Sequence, residues 1–287
     1  MVSLEQLQSG LVLPLDKPRQ WTSFQAVNKI KAVVRNRYGL KKFKIGHAGT
    51  LDPLATGLLL VCLGKATKTI PQLQDGDKVY TGTMVLGATT PCYDMERAID
   101  QYYPFEHISP TLLDEKRKLF EGEIMQVPPM FSAVKVEGQR AYEIARAESG
   151  ERRAESAPKA KMVKVYGFEI TGFRAASCSS FSSFSSLTSS SSCSSLTSSS
   201  SCSSLTSCSS SERHLYDNPQ CAVPVHLPQV DFRIHCGKGT YIRSIARDFG
   251  EALGSGAFLS ALRREKVGQY TIDQAITIDR IESFFTE

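Results

Sequence analysis

The sequence predicts an α+β protein built on a large mixed, mostly antiparallel sheet flanked by helices. Three observations lead there. Segments of alternating or continuous apolar residues, such as "KVYTGTMVL" at 78–86 and "LLLVC" at 58–62, recur along the chain and favour strands. Segments with capping residues and helical apolar spacing lie among them. The two kinds alternate without the regular strand–helix–strand period of a parallel α/β fold. At 287 residues the chain is long enough to bury a large core, and 41% hydrophobic content is that of a globular protein.

Taken in order, "LVLPLDKP" at 11–18 reads as a short strand ending in a turn. Thr22 or Ser23 then caps a helix with Phe24, Val27, Ile30 and Val34 expected on one face. "GHAGTLDPLATGLLL" at 46–60 begins with permissive glycines and ends as a buried strand. Asp52 stands between the two, where a carboxylate must keep water, find a cation or shift its pKa. In "SPTLLDEKRKLF", Ser109 is the N-cap and Pro110 the first helical residue. "MFSAVKVEGQRAYEIARAESGERR" reads as a strand, a Glu137-Gly138 turn and a basic amphipathic helix. Strands follow at 160–174 and 229–236, and "GKGTYIRSIARDFGEALG" is a turn running into a helix. That helix carries Ile242, Ile245, Phe249 and Leu253 on one stripe and is stopped by Gly254.

Residues 177–211 stand apart: nearly all serine and uncharged, with "SSLTSSSSC" at 185–193 and again at 194–202. A nine-residue period could mean a β-solenoid. Its apolar ladder would be only Leu187, Leu196 and Leu205, one leucine per nine residues. That cannot offset an ordering cost of about 1–2 kcal/mol per residue. We therefore expect a disordered low-complexity insertion in a surface loop.

The net charge of +5 permits a polyanionic partner without requiring one. No apolar run is long enough to span a bilayer, and the N-terminus lacks a secretory pattern, so a cytoplasmic location is expected. Four of the eight cysteines lie in the serine tract, and the other four, Cys62, Cys92, Cys221 and Cys236, are scattered without zinc spacing. Reduced thiols and no metal are the expectation.

"GHAGTLDPLATGLL" resembles the catalytic motif of the TruB-type tRNA pseudouridine synthase family, which isomerises the T-loop uridine at tRNA position 55. Four further segments resemble that family's motifs in the same order: "DKPRQWTS", "DKVYTGTMVLGATT" followed by Asp94, "QVPPMFSAVKVEGQRAYEIAR" and "GKGTYIRSIARDFGEALGSGAFLSALRR". The resemblance spans 16–176 and 228–278 and implies the pseudouridine synthase catalytic fold over 1–287 as a single domain, the insertion lying within it. It implies Asp52 as the catalytic aspartate, Tyr80 as the ring packing on the target base and Arg243 as the partner of Asp52. Leu262 becomes an apolar wall of the pocket, and His47 a histidine that holds the T-loop once the base has left. Lys17 and Pro18 support the site, while Lys238, Lys135 and Arg146 join the RNA-binding set. The implied partner is the tRNA T-arm; no protein partner, membrane or cofactor is implied, and a monomer is expected.

The chemistry asks for the same residue types. A carboxylate can attack sugar or base or take a proton from the sugar, and these routes stay open. An opposing arginine holds such a carboxylate ionised. Alone, Asp52 is a turn aspartate, Tyr80 a core tyrosine, Arg243 a solvated helix charge and His47 a loop histidine. "GKGT" alone is a phosphate-binding turn without P-loop spacing. The chain departs from the family at Gln20, where glycine is usual, at Pro91 and Cys92, and at Gly237. It also ends soon after "QYTIDQAI", so the C-terminal RNA-binding domain of longer members is not expected. The rival readings are the same chemistry on another structured RNA, and an RNA-binding or RNA-folding protein without catalysis.

Overall fold

The computed structural model describes residues 2–40, 42–132, 158–176 and 226–286, with the backbone of 135–136 and 139–140. In chain order its helices are α1 (Leu4–Ser9), α2 (Ser23–Tyr38), α3 (Ile70–Asp75), α4 (Pro110–Arg117), α5 (Ile242–Ala252) and α6 (Ile281–Thr286). Its first seven strands are β1 (Leu11–Lys17), β2 (Ile45–Ala48), β3 (Thr56–Leu63), β4 (Lys78–Leu86), β5 (Ala88–Thr89), β6 (Gln101–Tyr102) and β7 (Gly122–Gln126). The remainder are β8 (Lys135–Val136), β9 (Gln139–Arg140), β10 (Lys161–Arg174), β11 (Gln229–Cys236), β12 (Ala257–Val267), β13 (Tyr270–Thr271) and β14 (Ile276–Thr277).

Ten strands form one sheet in the order β14-β1-β3-β12-β4-β11-β10-β7, with β2 added to β3 and β13 to β12. Only β1–β14 and β3–β12 pair in parallel, so the sheet is mixed and mostly antiparallel, as the sequence predicts. The main core lies between this sheet and helices α2, α4, α5 and α6, where Ile30, Leu59, Phe168, Phe232, Phe249 and Phe285 are buried. Edge-to-face contacts of Phe168 with Phe120, Phe232 and Phe249 tie α5 to the sheet.

The caps act as the sequence indicates. Thr22 accepts from Gln25 N and Gln25 closes the capping box, while Ser109 accepts from Leu112 N ahead of Pro110. The stripe of α2 differs in one place: Phe24, expected inside, is 69% exposed. At about 100° per residue Phe24 falls well off the line through Val27, Ile30 and Val34. Ser23 falls on it and is buried.

The largest element missing from the sequence reading is β12, which lies between β3 and β4. Its alternation is broken by register shifts between Leu259 and Ala261 and between Arg264 and Lys266, so "ALRREKV" carries no period of two. Strands β8 and β9 pair across the expected Glu137-Gly138 turn, which itself lies outside the described residues. The basic helix with Arg146, Arg152 and Arg153 and the serine insertion 177–211 also lie outside them. Among the described residues no helix is long and apolar enough to cross a membrane.

Candidate active site

Three preceding residues hold the turn that carries Asp52. Ser23, at the start of α2, accepts from Leu51 N at 2.9 Å and donates to Leu51 O at 3.1 Å. Lys17, at the end of β1, donates to Pro18 O, Trp21 O and Pro53 O. Gln20 N donates to Pro53 O at 2.8 Å, and Gln20 takes a left-handed φ of 68°. The residue that departs from the family therefore keeps the backbone conformation a glycine would favour. Each of these bonds contributes about 0.5–1.5 kcal/mol, and together they fix the backbone on both sides of the carboxylate.

Arg243 reaches Asp52 from the first turn of α5. The cap of that helix is tied to β7: Tyr241 N donates to Gln126 Oε1 at 2.7 Å and Gln126 Nε2 donates to Tyr241 O at 3.1 Å. The Arg243 side chain is 5% exposed and that of Asp52 35%. Arg243 Nη2 donates to Asp52 Oδ1 at 2.9 Å, and Nε lies 2.9 Å from Oδ2. The second contact is an ion pair off the N–H direction, since Nε has no hydrogen-bond acceptor. Nη2 also donates to Phe131 O at 2.8 Å and Nη1 to Cys92 O at 3.1 Å. Asp94 is the second carboxylate, with Oδ2 3.8 Å from Nε. Burial pushes the Asp94 carboxyl above its usual range, against the pull of Arg243. Burial also works against the Arg243 charge, but Asp52 and Asp94 outweigh it and hold the guanidinium above its ordinary value.

Asp52, Tyr80, Arg243, Leu262 and Lys238 line one cleft of about 630 Å³, so the structure brings five of the sequence-selected residues together. Tyr80 is 9% exposed, and burial raises its hydroxyl pKa. Lys238 stands at the rim, paired with Asp75 at 2.9 Å. Leu262 lies opposite Gly82 and continues into a small void behind Asp52 and Asp94. His47, on β2, is not among the lining residues; burial and Arg264 hold its imidazole below the ordinary value. Lys135 sits on β8, where only its backbone is described, and Arg146 lies outside the described residues. No three His, Cys, Asp or Glu side chains among the described residues converge as a metal set.

Reading the sequence for function overlooks two further cations in the cleft wall, Arg264 and Lys78. Arg264 is 1% exposed and donates from Nε to Leu58 O at 2.7 Å and from Nη2 to Gly49 O at 3.1 Å. Lys78 is 8% exposed and donates to Gln74 O and Gly76 O. Lys17 is fully buried, and burial lowers its pKa to about 8. The one signal in the sequence is a pair of arginines within an apolar segment, which a surface helix explains equally well.

With the geometry in place, known proteins can be compared. A family model described as "TruB family pseudouridylate synthase (N terminal domain)" matches residues 35–193. A second, "tRNA pseudouridylate synthase B C-terminal domain", matches residues 243–287. The chain is 45% identical over 280 residues to a tRNA pseudouridine synthase B of Flavobacterium johnsoniae, covering 97% of each chain. It is 39% identical to that of Parabacteroides distasonis, covering 97% of this chain and 94% of the relative. Among solved structures it is similar to a chain of a Cbf5-Nop10-Gar1 complex, with TM-score 0.57 and 26% identity. That match covers 97% of this chain and 55% of the neighbour, so the chain spans just over half of the neighbour's length.

Proposed function

The chain belongs to the TruB family of pseudouridylate synthases, and from that footing we propose that it isomerises uridine to pseudouridine in tRNA, at position 55 of the T-loop. The observation that carries the site assignment is the two-pronged Asp52–Arg243 contact at the wall of a cleft that also holds Tyr80 and Leu262. In the isomerisation the bond from N1 to the sugar breaks, the base turns, and C5 bonds to the sugar. C5 loses a proton and N1 gains one, so no electrons are exchanged and no cofactor is consumed. Asp52 is the group that acts on sugar or base, and Arg243 pairs with it and aims it. Tyr80 and Leu262 form the surface on which the flipped base rests. Stacking of about 1–3 kcal/mol offsets part of the few kcal/mol that flipping costs. Lys238 at the rim, with His47, Lys135 and Arg146, serves the RNA around the target.

The catalytic unit is one domain into which 177–211 is inserted: Arg174 and Gln229, on either side of the connecting segment, are register partners. The enzyme works as a monomer in the cytoplasm. The test is release of tritium from C5-labelled uridine in T-arm RNA, wild type against Asp52→Asn. Turnover by the wild type and none by the variant supports the assignment. Binding without turnover by both supports the RNA-folding alternative, and turnover by Asp52→Asn at the wild-type rate removes Asp52 from the chemistry.

A further inference from the structure

At Lys238 the cleft runs on into a side groove that the reaction as described does not use. The groove, of about 340 Å³, shares Asp75, Met162, Gly237 and Lys238 with the cleft and ends at Lys164 and Tyr166. Strand β10 alternates there: Val163 and Val165 are buried, while Met162, Lys164 and Tyr166 are exposed on the other face. Tyr166 is 52% exposed and outside the main core, yet its ring is braced. It lies 4.8 Å from the His235 ring, tilted by 44°, and Lys164 Nζ lies 5.7 Å from its centroid. His235 is itself fixed, with Nε2 2.6 Å from Asp77 Oδ2, and Lys266 donates to the same oxygen at 3.3 Å. The way from the cleft to Tyr166 passes Gly237, one of the positions where the chain departs from the family. An added Cβ there would lie 3.6 Å from the Tyr166 hydroxyl and 3.5 Å from Lys164 O, so the missing side chain leaves the groove open toward the ring.

A ring half in water and braced by its neighbours presents a flat apolar surface at little further entropic cost. Every nucleobase has a matching face, and stacking on an aromatic side chain is how unpaired bases are commonly held. A bare phosphate is favoured less, because Glu123 and Asp75 line the groove beside Lys164 and Lys238 and offset their charge. An apolar protein segment fits poorly for a related reason, since it would strip water from those four charges. We propose that Tyr166 is a stacking platform for an unpaired base of the RNA loop whose uridine enters the cleft. The proposal rests on the reading of the cleft as a uridine site. His235 and Asp77 are positioning residues that brace the ring, and Gly237 keeps the way to it clear.

The experiment measures filter binding of T-arm RNA in the Asp52→Asn background, where the RNA stays unconverted, and single-turnover rates with Asp52 intact. Tyr166→Ala is expected to weaken binding by about tenfold or more, the factor of one stacked base, while Tyr166→Phe stays within about twofold. Stacking releases no counterions, so the loss is the same at about 50 and 200 mM salt. The rate at saturating RNA stays within a few-fold of wild type. An abasic nucleotide at one unpaired loop position costs the parent protein the same factor and costs Tyr166→Ala nothing more. Gly237→Val, at a backbone that is not left-handed, fills the passage and gives the same loss with the ring intact. That variant decides if thermal melts show that Tyr166→Ala does not fold. Unchanged affinity in Tyr166→Ala, or losses that multiply at every abasic position, overturn the proposal. Weakened binding in Tyr166→Ala without turnover by the wild type keeps the platform and removes the isomerisation reading. Turnover by the wild type with unchanged affinity in Tyr166→Ala does the reverse.

Discussion

The cleft has two walls that bury an arginine by opposite means. On the α5 wall Arg243 faces two carboxylates, Asp52 at 2.9 Å and Asp94 at 3.8 Å. On the β12 wall Arg264 donates to two backbone carbonyls, Leu58 O at 2.7 Å and Gly49 O at 3.1 Å. A carboxylate partner can change its protonation and can react, so the first wall holds its charge ready for chemistry. Carbonyl partners do neither; they use the cation as a clamp that fixes the chain around it. Burial of a cation therefore does not tell which of the two a residue is, and the partner does.

Removing Asp52 tests the reactive wall most severely. Asp52→Ala is expected to turn over at less than about a thousandth of the wild-type rate while RNA affinity stays within a few-fold, because affinity is spread over many phosphate contacts. Filter binding and single-turnover rates measured together check this. The variant also leaves Arg243 without its nearest counter-charge. The stability lost should be smaller than the about 3–5 kcal/mol of a fully buried pair, since the Asp52 side chain is 35% exposed.

Arg243→Lys keeps the charge and removes the fork. A point charge cannot face both Asp52 oxygens while bonding Phe131 O and Cys92 O, so about a hundredfold loss in rate is expected. Near-wild-type rates in this variant would erase the distinction between the walls.

The clamp side is probed by Lys17→Met and pH. Burial holds the Lys17 pKa at about 8, against an ordinary 10.5. Between these values the unfolded chain binds more protons than the folded one, so this group raises stability as pH rises through that window. Below pH 8 the charged lysine carries its full burial penalty. Wild type should therefore gain stability relative to Lys17→Met on going from pH 7.5 to pH 10, by up to about 3 kcal/mol for a pKa moved from 10.5 to about 8. Parallel denaturant melts of the two proteins at each pH isolate the term; an unchanging difference would show that Lys17 does not titrate there.

The smallest effect is expected from the serine tract. Replacing 177–211 with a short Gly/Ser linker alters only the closure of a connection between the paired strands β10 and β11. The change should be about 1 kcal/mol, with activity retained. A fall in melting temperature above about 8 °C would exceed what 1–2 kcal/mol gives a domain of this size. A tenfold slower reaction at unchanged melting temperature would place the tract on the RNA.

The reactive wall was legible from short-range pattern, and the clamp was not. Asp52 stands out as a carboxylate between glycines and a leucine run, whereas Arg243 alone reads as a solvated helix charge and is picked out by the resemblance of its segment to the family motif. Ser23 carries no such mark, since its hold on the Asp52 turn depends on α2 meeting it in space, and Lys17 was marked only by the motif resemblance, its bonds depending on where β1 lies. Phe24 misled because a hydrophobic residue at the start of a helix is assigned to the nearest stripe, while the geometry of the turn gives that place to Ser23. Strand β12 was hidden because its bulges cancel the period of two by which a strand is recognised.

The sequence by itself determined the fold class, the caps of α2 and α4 and the long strands β1, β3, β4, β10 and β11, and through the family resemblance it selected Asp52, Tyr80 and Arg243 as candidates. These are written in periodicity, in capping chemistry and in local motifs, all read within a few turns or strand lengths. Only the tertiary structure decided which charges meet. Arg243 and Asp52 are separated by 191 residues, and Arg264 and Leu58 by 206. Whether a buried arginine reacts or clamps follows from which wall it is folded against, because its environment is supplied by strands and turns that no local pattern connects.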